Sequence, residues 1–113
     1  MVAKNKLFMA PPFAVEHALT RVGRNLRVAR LRRKQTIEEV AEKIGTGSRA
    51  VRDAENGKAS TAVAVYAALL WAYDLLDPFK DLAEPTEDKE GLALAAAAES
   101  QRARKSVGLD NDF

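Results

Sequence analysis

The chain has 113 residues, no cysteine, a single histidine and a net charge of +2. Such a length predicts one domain with tails, large enough to bury a core without covalent staples. The missing cysteines exclude disulfides and thiolate metal sites, His17 alone cannot build a histidine metal site and reads as a partly solvated surface residue, and no apolar run reaches the ~18 residues of a membrane span.

In chain order, "MVAKNKLFMAPPF" is interrupted by Pro11 and Pro12, which end any structure before them and argue against a signal peptide. A reduced, cytoplasmic setting is expected. Leu19, Val22, Leu26 and Ala29 then recur at helical spacing, with Arg24, Arg27 and Arg30 off that stripe, and predict a helix over 14–33. "TIEEVAEKIG" is a compact helix, with Thr36 as N-cap, Glu39 at the capping-box position and Gly45 as the stop. Ile37, Val40, Ala41 and Ile44 form its buried stripe. A third helix is predicted over 48–55, ending at Asn56-Gly57. Ser60 or Thr61 caps a fourth over 62–73, whose core face holds Val65, Leu69, Ala72 and Tyr73. Asp77-Pro78 opens a short fifth helix that stops before Pro85. "EPTEDKE" reads as an acidic linker, "GLALAAAAESQRARKS" as an alanine-rich helix, and "VGLDNDF" as a frayed tail. Strand signals and internal repeats are absent from the pattern.

Charge is unevenly distributed along these elements. Residues 21–58 carry eleven Lys/Arg and five Asp/Glu, whereas residues 74–90 carry two lysines and seven acids. A polyanion-binding surface beside an acidic segment has this asymmetry, and so do ordinary solvated faces.

Two short helices joined through a turn with Gly45 and Gly47 form a helix-turn-helix, or else a plain helical hairpin. In the former, the first helix crosses the DNA backbone and the second enters the major groove. Gly45 permits the left-handed backbone of the turn. Gly47, as N-cap of the third helix, leaves amides that can meet a phosphate.

"TIEEVAEKIGTGSRAVRDAENGK" resembles the Cro/cI-type, or Xre, helix-turn-helix domains. Thr36, Glu39, Val40, Ala41, Ile44, Gly45, Val51, Glu55 and Gly57 match that family's pattern without a gap, and the resemblance covers about residues 20–82. It implies an all-α, five-helix domain over 13–83, an N-terminal arm over 1–12, and an acidic linker with an Ala/Arg-rich helical tail over 84–113. Three positions depart from the pattern. Ile37 replaces a phosphate-contacting Gln, Gly47 replaces a Ser/Thr cap, and Ala54 replaces a larger apolar residue.

The resemblance further implies that Ser48, Arg49, Arg52 and Asp53 read bases of double-stranded DNA. Arginine can bond guanine O6 and N7 together, and aspartate can accept from cytosine N4. Phosphate contacts would come from Thr46, Gly47, Asn56 and Lys58, partly through backbone amides. Arg49 could instead touch phosphate, Arg52 could pair with Asp53, and Asp53 could be structural. Arg30 and Glu55 match a structural ion pair of phage repressors in this family. "RLRRK", residues 30–34, would attract phosphate or form a solvated helix end. One such helix reads few bases, so a homodimer is expected, with Trp71, Leu75 and Phe79 at its face or, for Trp71 and Phe79, in the core.

The tail segment "GLALAAAAESQRARKS" resembles the regulators paired with HipA-type kinase toxins. That resemblance implies an antitoxin repressing its own operon. A stand-alone repressor and a protein-interaction module are the alternatives. No cofactor or metal is expected, nor an enzyme, since no nucleophile–base set or glycine-rich phosphate loop is present.

Overall fold

A computed structural model of the protein describes residues 5–111, with side chains described through residue 105. Its regular structure is helical: α1 (Lys6–Met9), α2 (Phe13–Arg32), α3 (Ile37–Ile44), α4 (Ser48–Glu55), α5 (Val63–Ala72), α6 (Asp77–Lys80) and α7 (Lys89–Asn111), with a 3-10 turn at Pro85–Glu87. No strand occurs among the described residues, as the all-α expectation required. None of the described helices is long and apolar enough to cross a membrane. The chain divides into two compact units, Met1–Lys80 and Asp81–Phe113.

In the first unit, Leu26, Ala29, Val40, Ala41, Val51, Ala54, Tyr66, Leu69 and Tyr73 form the core, drawn from α2, α3, α4, α5 and the residue after α5. The inward stripe of α2 differs from the one predicted. Gly23 is buried, whereas Val22 is exposed. Positions 19, 23, 26 and 30 share one face at helical spacing, and position 22 is rotated ~100° from its neighbour 23. Gly23 is needed there because α4 lies against it. A Cβ at this position would stand 2.5 Å from the Glu55 carbonyl oxygen and 2.6 Å from that of Ala54.

Local chemistry sets the limits of α3. The Thr36 Oγ1 accepts from the Glu39 amide at 3.1 Å, and the Glu39 carboxylate accepts from the Thr36 amide at 3.1 Å. Gly45 ends the helix in the left-handed region at φ 81°, where a Cβ would be strained.

Helix α5 starts without the predicted side-chain cap. Its N-cap is Ala62, and no side chain bonds its first turn. The Thr61 Oγ1 is buried without a partner among the described residues. Val65 packs against the core as predicted, and Tyr66, which the predicted face lacked, is buried there as well; its hydroxyl donates to the Lys58 carbonyl at 3.2 Å. The same helix is apolar nearly all round, so packing one side of it leaves Val63 and Trp71 exposed.

In the second unit, the segment predicted as linker holds the 3-10 turn and the start of α7. Asp88 is the reason: its Oδ1 accepts from the Gly91 amide at 3.0 Å, in the manner of an N-cap. Helix α7 continues to Asn111, through the segment predicted to fray. Elongating a formed helix is far easier than nucleating one.

Candidate nucleic-acid interface

Helix α4 is built to present one face outward. Val51 and Ala54 are fully buried in the core, which turns positions 49, 52, 53 and 56 to the opposite side at i, i+3, i+4 and i+7. Arg49, Arg52 and Asn56 are exposed, and Ser48 and Asp53 are half-buried. Two arginine forks therefore stand on one face of an eight-residue helix whose other face is anchored. Neither arginine belongs to an ion pair among the described residues.

Asp53 is engaged by a neighbour: its Oδ2 lies 3.7 Å from the Lys58 Nζ. The structure thus brings together two residues implied to have separate roles, one reading a base and one gripping a phosphate. Arg52, in contrast, is not the partner of Asp53.

At the N-terminus of α4, Gly47 is extended, at φ −79° and ψ 156°, and no side chain caps the helix. The turn before it is less free. The Thr46 amide donates to the Ala41 carbonyl at 2.9 Å, closing the end of α3. Thr46 can reach a ligand only through its side chain. The loop after α4 requires a similar correction. The amides of Asn56, Gly57 and Lys58 donate to the carbonyls of Arg52, Ala54 and Asp53 at 3.1, 3.0 and 3.0 Å. Backbone donation to phosphate from these three residues is therefore blocked, because closing the helix end uses the same N–H groups. The Asn56 and Lys58 side chains remain. Gly57 makes the loop possible, with φ at 68° and its α-carbon so close to α2 that a Cβ would lie 2.7 Å from the Leu19 carbonyl oxygen.

The frame behind this face is ionic as well as apolar. Arg30, buried on α2, donates from Nε to the Glu55 Oε2 at 2.7 Å, from Nη2 to Oε1 at 3.0 Å, and from Nη1 to the Gln35 carbonyl at 3.0 Å. The hydrogen bonds to Glu55 hold the guanidinium above its ordinary pKa, against the opposing effect of burial. Within "RLRRK", Arg33 is also structural, which the residue pattern did not reveal. It donates to the carbonyls of Ala29 and Tyr73, each at 2.9 Å, and its guanidinium lies 5.3 Å from the centre of the Tyr73 ring. Arg32 and Lys34 stay exposed. Ile37, where the family pattern has Gln, packs against the core.

Of the residues expected at a dimer face, Trp71 is 56% exposed and Leu75 43% exposed. Phe79 is half-buried. Among the described residues no group of His, Cys, Asp and Glu is placed to hold a metal.

A family model described as a helix-turn-helix domain matches residues 21–81. No curated protein and no solved structure matches the chain.

Proposed function

The chain belongs to the helix-turn-helix domain family, and on that premise we propose that it is a transcriptional regulator that binds double-stranded DNA as a homodimer. The observation that carries this reading is the outward face of α4, which presents exposed Arg49 and Arg52 beside half-buried Asp53. Arg49 and Arg52 read guanine edges in the major groove, Ser48 and Asp53 add contacts to neighbouring bases, and Asn56, Lys58, Thr46 and the Gly47 end of α4 hold phosphates. Two copies then read half-sites one helical turn apart. Exposed Trp71 and Leu75, with half-buried Phe79, supply the apolar self-contact, because large exposed apolar side chains suit an interface.

The regulated operon is its own, and the domain over 13–83 is sufficient for DNA binding. Exposed Leu92 and Leu94 on α7 favour a second role for the segment 84–113, capture of a partner protein such as a HipA-like kinase toxin. Without such a partner the protein acts as a stand-alone repressor.

Footprinting on the DNA upstream of its own gene tests the central reading. A protected, two-fold symmetric site that fades as salt rises is expected, since phosphate contacts release counterions. No protection at low salt by folded dimer sinks the reading. Co-expression with the adjacent reading frames tests the partner role, with retention of a kinase-like product by the full chain and not by residues 1–83 as the expected result.

A further inference from the structure

Beyond α4, the outer face of the first half of α2 is a continuous row of hydrogen-bond donors. His17, Thr20, Arg21, Arg24 and Asn25 line a shallow recess of about 280 Å³. Their spacing, i, i+3, i+4, i+7 and i+8, places them on one side of the helix. Every one of these side chains can donate, and none is a carboxylate. All five are exposed, and neither arginine takes part in an ion pair among the described residues. The acids Glu16 and Asp53 line a second recess, which also holds Thr20, Asn56 and Lys58 together with Phe8 and Met9 of the arm.

This row adjoins the loop that follows α4. A Cβ on Gly57 would lie 2.7 Å from the Thr20 Cα, so the backbone of α2 touches the loop at the edge of the recess. Thr20 lines both recesses and so links the Asn56 and Lys58 side chains to the row on α2, beside Glu16 and the Asp53 carboxylate that pairs with Lys58. From residue 17 to residue 24 the helix advances roughly 10 Å. One strand of duplex DNA carries a phosphate about every 3.4 Å along its axis, so this length faces more than one phosphate.

We propose that Arg21 and Arg24, with His17, Thr20 and Asn25 around them, form a second phosphate-binding surface that carries the DNA backbone past the end of the α4 contact. The proposal rests on the DNA-binding reading above. A protein partner fits the face less well, because no apolar side chain lines the recess and the centre of a protein interface is ordinarily apolar. The surface contributes affinity and footprint length and no base preference.

The test uses the full chain, titrated onto its footprinted site and onto a random duplex over a range of salt. The double variant Arg21→Ala/Arg24→Ala should bind both DNAs more weakly by the same factor. Its plot of log affinity against log salt should be shallower by about 1.8 per bound copy, about 0.9 for each phosphate no longer neutralised. The Arg21→Lys/Arg24→Lys variant should keep the wild-type slope, which separates charge from any packing defect. An alanine variant with wild-type slope and footprint overturns the proposal. So does one that stops self-associating at unchanged slope, a result that assigns the face to the acidic segment of a second copy. If the wild-type chain binds no DNA at low salt, the reading beneath fails, and that outcome is distinct from wild-type binding with an unaltered variant.

Discussion

Arg30 and Glu55, 25 residues apart in the chain, meet through two parallel hydrogen bonds of 2.7 and 3.0 Å. Their side chains are only 9% and 6% exposed. A paired fork of this kind adds direction to charge, and here it ties α2 to the last residue of α4. The orientation of α4 thus depends on a contact made away from its outward face.

Removing one partner leaves the other buried and uncompensated. Arg30→Ala or Glu55→Ala should each cost about 3–5 kcal/mol of folding free energy. Replacing both by apolar residues of similar volume, Arg30→Met with Glu55→Leu, should recover most of it. Urea unfolding of the three variants checks this, and a double variant no more stable than either single one refutes the assignment.

Gly23→Ala should destabilise the domain although alanine is the better helix former. The helix gain is about 1 kcal/mol, whereas forcing a methyl group against a carbonyl wall costs about 1–3 kcal/mol or more. Two backbone oxygens at 2.5 and 2.6 Å from the new Cβ place this site at the upper end. Thermal unfolding should show a lower midpoint, and a raised one contradicts the close approach of α2 and α4.

Tyr66 and Tyr73 both hold their protons above the ordinary tyrosine range, chiefly because burial disfavours the phenolate. The unfolded chain releases these protons near pH 10, before the folded one does. Stability from this source is therefore complete below about pH 10 and falls as pH rises beyond it. The Tyr73 hydroxyl has no hydrogen-bond partner among the described residues, so Tyr73→Phe should be neutral or stabilising by up to about 1 kcal/mol and should soften the alkaline loss. Tyr66→Phe, which forfeits the bond to the Lys58 carbonyl, should cost about 0.5–1.5 kcal/mol. Denaturant midpoints from pH 8 to 11 read all three effects.

Arg49→Ala should lose about 1–3 kcal/mol on the cognate site and relax base preference there. Lys58→Ala should weaken all sequences alike and flatten the salt slope by about 1. Its pairing with Asp53, a partly exposed contact at 3.7 Å, contributes only ~0–1 kcal/mol to the fold. Equal losses on cognate and random DNA for both variants remove base reading from Arg49.

Helices α3 and α4 were legible because their signals are local. Thr36 and Glu39 bond across three residues, Gly45 supplies one backbone conformation, and the third helix lies at 48–55 as its flanking glycines suggest. The resemblance over about 20–82 agrees with the family match over 21–81. Asp88 carries the same kind of local signal for α7, masked by the acidic run around it. What remained hidden depends on neighbours distant in sequence. Val22 and Gly23 are both compatible with a helical stripe, and only the carbonyls at the end of α4 select the glycine. Arg30, Arg32 and Arg33 are chemically alike in a row, yet one is buried on Glu55, one projects outward and one folds over Tyr73, because helical rotation aims each at a different surrounding. The amides at 56–58 could equally have met a phosphate or a carbonyl. The end of α4 takes them, since the residues that close a helix are nearest to its unpaired oxygens. Periodicity and caps specify where α3 and α4 begin and which side of them turns inward. Which side chain meets which depends on the packing of those helices against one another.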